Sequence, residues 1–115
     1  MNWEEIRKIH TWLPPTSDGW HQHSNDGGWV QDTAIVEDTA YVGKSALVSG
    51  LARVFDSAQI FDSAHVSDSA RVYGSTRVSD SANVFGSACV YGSARVYGST
   101  RVSGYNLVFD DHSVS

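Results

Sequence analysis

Aliphatic residues return at every sixth position of this chain, at Val30, Val36, Val42, Val48, Val54, Ile60, Val66, Val72, Val78, Val84, Val90, Val96, Val102 and Val108. The period holds over residues 30–113 with no insertion. Counting the aliphatic residue as position one, position three is Asp or Gly in thirteen of fourteen hexads, with Lys44 the exception. Position four is Ser or Thr in eleven hexads, and position five is Ala in ten and Thr in two, Thr76 and Thr100. Positions two and six vary freely.

Each column has a physical reason. Val is β-branched and suits extended backbone on a packed sheet. Asp and Gly tolerate the left-handed conformation of a tight corner, and Ser beside them can hydrogen-bond the turn backbone. Ala is small enough to let the chain turn inward. Each hexad therefore predicts one short strand and one corner. A helix is excluded, because Gly or Asp at every sixth position would break it repeatedly.

Three hexads make an eighteen-residue triangular coil, and the variable positions repeat at that spacing. One face stacks Phe55, Tyr73, Tyr91 and Phe109 beside Arg53, Arg71, Cys89 and Leu107. A second stacks Leu47, His65, Asn83 and Arg101 beside Ser49, Ser67, Phe85 and Ser103. The third stacks Tyr41, Gln59, Arg77 and Arg95 beside Gly43, Phe61, Ser79 and Tyr97. On these residues the run resembles the hexapeptide-repeat family of parallel β-helices, over 84 of the 115 residues. The resemblance implies an all-β solenoid, a left-handed parallel β-helix. The left hand is the family's, since crossover connections are usually right-handed.

Residues 1–29 read as an N-terminal helix and capping loop, and residues 30–115 as the β-helix. A short amphipathic helix is expected over residues 2–13. Asn2 and Glu5 have capping-box spacing, Trp3, Ile6, Ile9 or His10, and Leu13 share one side, and Pro14 and Pro15 end it. Its expected role is to plug the open end of the prism, with docking on a neighbouring subunit as the other choice. Residues 16–29 form a loop rich in Gly and Asp. There His21 and His23 would face one side of an extended backbone, and with Asp18, Asp26 or His10 they offer metal-ligand chemistry. Against this, His-x-His lacks a dedicated third ligand, and Trp20 and Trp29 packing on the first coil explains the segment without a metal, so no metal is expected. The stretch HSNDGGWV also resembles leaders before hexapeptide repeats in small phage and prophage proteins.

The net charge of −5 argues against general nucleic-acid binding. A single cysteine, Cys89, precludes an internal disulfide and suits a reducing, cytoplasmic setting. No apolar run is long enough for a membrane span, and Glu4 and Glu5 stand where a signal peptide's apolar segment would begin.

Three functions are weighed. The resemblance implies, first, an acyltransferase trimer that binds acyl-CoA between prisms, with His65, the only histidine in the repeat before it frays at Tyr105, Asn106, Asp111 and His112, as general base. The family's long acceptor loop and C-terminal helix are not found, which weighs against it. The family's zinc-dependent carbonic anhydrase branch is not matched by His10, His21, His23, His65 and His112. Second is a non-catalytic binding protein, favoured by a narrow margin. Arg53 and Arg71 beside Tyr73 and Tyr91 suit a small anionic, stackable ligand such as a nucleotide, with Trp20, His21 and His23 as further candidates, and the phage-like leader would fit sequestration of a nucleotide signal. Third is a purely structural trimeric module. In every case Phe55, Tyr73, Tyr91 and Phe109 are expected at a homotrimer interface.

Overall fold

The computed structural model describes residues 2–25, 27–104, 107–108 and 113–114. Strands β1 (Trp20–Gln22) and β2 (Trp29–Gln31) form an antiparallel pair, and every other strand pairing in the described residues is parallel. Face A continues from β2 through β5 (Leu47–Val48), β8 (His65–Val66), β11 (Asn83–Val84) and β14 (Arg101–Val102). Face B stacks β3 (Ile35–Val36), β6 (Arg53–Val54), β9 (Arg71–Val72), β12 (Cys89–Val90) and β15 (Leu107–Val108). Face C stacks β4 (Tyr41–Val42), β7 (Gln59–Ile60), β10 (Arg77–Val78), β13 (Arg95–Val96) and β16 (Ser113–Val114). Each parallel register joins a residue to the one eighteen further on, as in Arg53↔Arg71 and Arg77↔Arg95. The chain is thus a parallel β-solenoid with one short N-terminal helix, and among the described residues the three faces carry those their spacing assigned to them.

The Val column and the Ala column fill the prism interior. Two corner positions put Thr where Ala is usual, and neither Thr76 Oγ1 nor Thr100 Oγ1 finds a hydrogen-bond partner among the described residues. The corners explain the Asp-or-Gly column. From Gly50 to Gly104 every position-three residue has positive φ, including Asp56 (60°), Asp62 (55°), Asp68 (58°) and Asp80 (58°). An Asp there does more than tolerate the bend, because its carboxylate reaches the next coil's corner. Asp80 Oδ2 accepts the Gly98 N–H (2.9 Å), Asp56 Oδ2 the Gly74 N–H (3.1 Å) and Asp68 Oδ2 the Gly86 N–H (3.1 Å).

The first coil is built differently. Asp32, Asp38 and Lys44 are not among the positive-φ residues. Position two takes over the carboxylate's task, with Gln31 Oε1 accepting the Gly50 N–H and Glu37 Oε1 the Asp56 N–H.

Helix α1 (Trp3–Ile9) carries the expected capping box: Asn2 Oδ1 accepts the Glu5 N–H (2.8 Å) and Glu5 Oε1 the Asn2 N–H (3.1 Å). It ends short of residue 13. Tertiary bonds win over helical periodicity here, for His10 Nε2 donates to the Ser45 carbonyl (2.9 Å) and Trp3 Nε1 to the Pro14 carbonyl (3.0 Å). The helix does not plug the prism. Trp3, Ile6 and Leu13 pack with Trp29 and Leu47 on the outer side of face A, in a cluster separate from the prism core.

The loop before β2 covers the end instead, along the edge of β4. The Gly28 N–H donates to the Val42 carbonyl (2.9 Å), the Val42 N–H to the Asn25 carbonyl (3.3 Å), and His23 Nε2 to the Ala40 carbonyl (2.8 Å). A Cβ on residue 28 would lie 2.6 Å from the Val42 carbonyl oxygen, so only glycine fits this close approach. Asp26, Phe109 and the residues that depart from the repeat near its end, Tyr105, Asn106, Asp111 and His112, lie outside the described residues.

Candidate functional site

Face B holds Phe55, Tyr73 and Tyr91 of the expected aromatic ladder. The rings of Tyr73 and Tyr91 stack with centroids 5.3 Å apart and planes 8° from parallel. Parallel strands set the rings one coil apart, and offset stacking supplies the remaining tilt and slide. Burial raises the Tyr73 phenol pKa, with Cys89 and Tyr91 adding to the rise. Arg53 and Arg71 stand exposed and in register on β6 and β9, and neither is in an ion pair among the described residues. Phe55 is half-buried on the same face.

Trp20, His21 and His23 do not join this group. Trp20 sits on β1, at the edge of face A, tilted against Trp3 at 5.4 Å. His21 Nδ1 pairs with Asp32 Oδ1 at 2.7 Å in an exposed contact. His23 is buried, and since a carbonyl can only accept, its Nε2 carries the proton given to Ala40. The two histidines thus have separate partners. Among the described residues no group of three or more His, Cys, Asp or Glu is arranged to hold a metal ion.

His65 lies on face A, half-buried, with Nε2 2.8 Å from the buried Ser49 hydroxyl. Trp12 stacks on its ring at 5.0 Å and 25°, and the His10 ring lies 6.0 Å away. Burial, aided by His10 and opposed by Asp68, lowers the His65 pKa to about 4. The imidazole is therefore neutral at pH 7. Nothing in the helical stripe marks Trp12 for this position. It reaches His65 because the helix has already ended and the segment bends across face A.

Face C carries two open grooves that no candidate residue anticipated. One, of about 540 Å³, is lined by Tyr41, Gly43, Lys44, Ser45, Gln59, Phe61 and Asp62. The other, of about 340 Å³, is lined by Phe61, Arg77, Ser79, Asp80, Arg95 and Tyr97. Their cause is the position-two column, which reads Gly43, Phe61, Ser79, Tyr97 up the face. Each groove lies where that column drops to a small residue. The signal was present at eighteen-residue spacing, as an alternation of small and aromatic rungs rather than a continuous ladder.

No family model matches the chain, and no curated protein or solved structure gives a significant match to it. No helix among the described residues is long and apolar enough to cross a membrane.

Proposed function

We propose that the protein is a homotrimeric, non-catalytic binding protein for a small anionic ligand, on the left-handed hexapeptide scaffold its repeat resembles. The supporting observation is the face B arrangement, two exposed guanidinium groups in register beside two stacked phenol rings. Guanidinium forks pair with phosphate or carboxylate in two parallel hydrogen bonds, and aromatic planes accept a stacked ring. In a trimer the ladder of Phe55, Tyr73 and Tyr91 forms the subunit boundary, and Arg53 and Arg71 line the grooves beside it. Such a protein would sequester its ligand in the cytoplasm rather than turn it over.

The acyltransferase alternative is less well supported. A general base works best with a pKa near the operating pH, whereas His65 titrates near pH 4 and sits under Trp12 with its Nε2 beside Ser49. That is the environment of a packed structural histidine.

Native mass spectrometry of freshly purified protein is the deciding experiment. A trimer with extra mass in multiples of one small molecule is expected, with that mass lost on Arg53→Ala or Arg71→Ala. A bare trimer that turns over acyl-CoA would replace this reading with the enzyme, and a monomer would remove the inter-subunit grooves altogether.

A further inference from the structure

Face C presents a ladder with a missing rung. Phe61 and Tyr97 stand two coils apart on the same column, and the rung between them is Ser79. Two coils span roughly 9–10 Å at the spacing of hydrogen-bonded strands. A planar ring placed midway would lie about 5 Å from each neighbour. That matches the separation of Tyr73 and Tyr91, which stack at 5.3 Å on face B. The space is not filled by the protein, since the 340 Å³ groove lies there, lined by both aromatic residues and the serine. Its size falls within the range of small-molecule pockets.

The same groove carries charge. Arg77 precedes Ser79 by two residues and Arg95 precedes Tyr97 by two, so each cation lies beside a rung on the outward side of its strand. The two are in register on β10 and β13, both exposed, and neither is in an ion pair among the described residues. Asp80 also lines the groove, but its Oδ2 accepts the Gly98 N–H at the corner. On face A an aromatic ring likewise stacks against an outward side chain, the Trp12 indole lying on the His65 imidazole.

We infer that the groove between Phe61 and Tyr97 is a binding site for a planar aromatic anion of the nucleoside monophosphate class. The base takes the place of the absent rung above Ser79, and the phosphate is held by Arg77 and Arg95. The site lies on face C and does not depend on the face B reading.

Isothermal titration of the purified full-length protein with AMP, with adenosine and with inorganic phosphate tests the arrangement. AMP is expected to bind more tightly than either fragment, because only AMP uses both the ring gap and the cations. Ser79→Phe supplies the missing rung and should abolish AMP binding. The fold should tolerate it, since Phe61 already occupies this column, and an unchanged circular dichroism spectrum and melting profile would verify this. Arg95→Ala should weaken AMP by about tenfold, the loss of one charged hydrogen-bonding group. The inference is overturned if AMP, GMP and UMP all fail to bind. It is equally overturned if AMP binding survives Ser79→Phe and Arg95→Ala. Loss on Arg53→Ala with neither face C variant having an effect would place the ligand on face B alone, leaving the proposed function standing and this site refuted.

Discussion

Faces A and C share the same eighteen-residue register and buried Val column, yet the first coils of one are covered and the other is open. On face A the small rung Ser49 is buried, its hydroxyl is beside His65, and Trp12 lies over the imidazole. The N-terminal segment thus lays a ring over this part of the face. On face C the small rungs Gly43 and Ser79 are left as grooves. In a solenoid the core decides only that a coil forms. What each face does is set by the outward side chains and by whichever segment is folded over them.

The contrast can be broken most strongly at the anchor of the covering segment. Trp3 packs against Trp20 and, edge-on at 5.1 Å, against Trp29. Trp3→Ala should cost about 3–5 kcal/mol in urea unfolding. It should also free Trp12 from His65, read as a shift of tryptophan emission.

Next in size is the pH dependence of the closed face. His65 has a folded-state pKa of about 4 against an ordinary 6.5, so the unfolded chain takes up the proton first as pH falls. Stability should therefore rise with pH between about 4 and 6.5, and be lost as pH drops through that window. The unfolding free energy should be lower by about 2 kcal/mol at pH 4.5 than at pH 7.5. His10, also lowered by burial, adds in the same direction. His65→Gln should flatten this part of the profile, and an unchanged slope would show that Trp12 and Ser49 do not hold the imidazole in its neutral form.

Gly28→Ala tests the end cover. The added methyl meets the Val42 carbonyl, so a loss of about 1–3 kcal/mol is expected, with amide exchange quickening first at Val42.

The smallest effect is a gain. Thr76 is fully buried with an unpartnered hydroxyl, and Thr76→Val keeps its shape while removing the polar atom. The melting temperature should rise, by an amount corresponding to about 1 kcal/mol.

The solenoid was legible in the sequence because its core demands are strictly periodic: one Val, one small residue and one corner per hexad, with faces repeating at eighteen. The capping box at Asn2 and Glu5 was legible for the same reason, being local chemistry at fixed spacing. The end of α1 was not, since it is set by His10 and Trp3 bonding to residues distant in the sequence. Nor was the role of Gly28, which depends on how closely a loop approaches a strand formed later in the chain. The face B ladder followed from counting. The face C grooves were not legible in a search for continuous aromatic columns, because a groove needs a column where the aromatic residues stop. Trp20, His21 and His23 offer ligand-binding chemistry in sequence, but the hairpin places them on face A and at the prism end, away from the face B arginines.

The eighteen-residue carboxylate-to-amide bonds at the corners, from Asp56 to Gly74 and from Asp80 to Gly98, make the solenoid modular in two different units. Gain or loss of a single hexad would leave every Val in the core and every corner in a corner. It would also rotate everything downstream by one third of a turn, carrying Arg77, Arg95 and Tyr97 away from Phe61. Gain or loss of three hexads would also keep every outward side chain on its own face. Natural variation in the length of such a chain is therefore filtered twice: folding admits steps of six, while keeping the composition of each face admits only steps of eighteen.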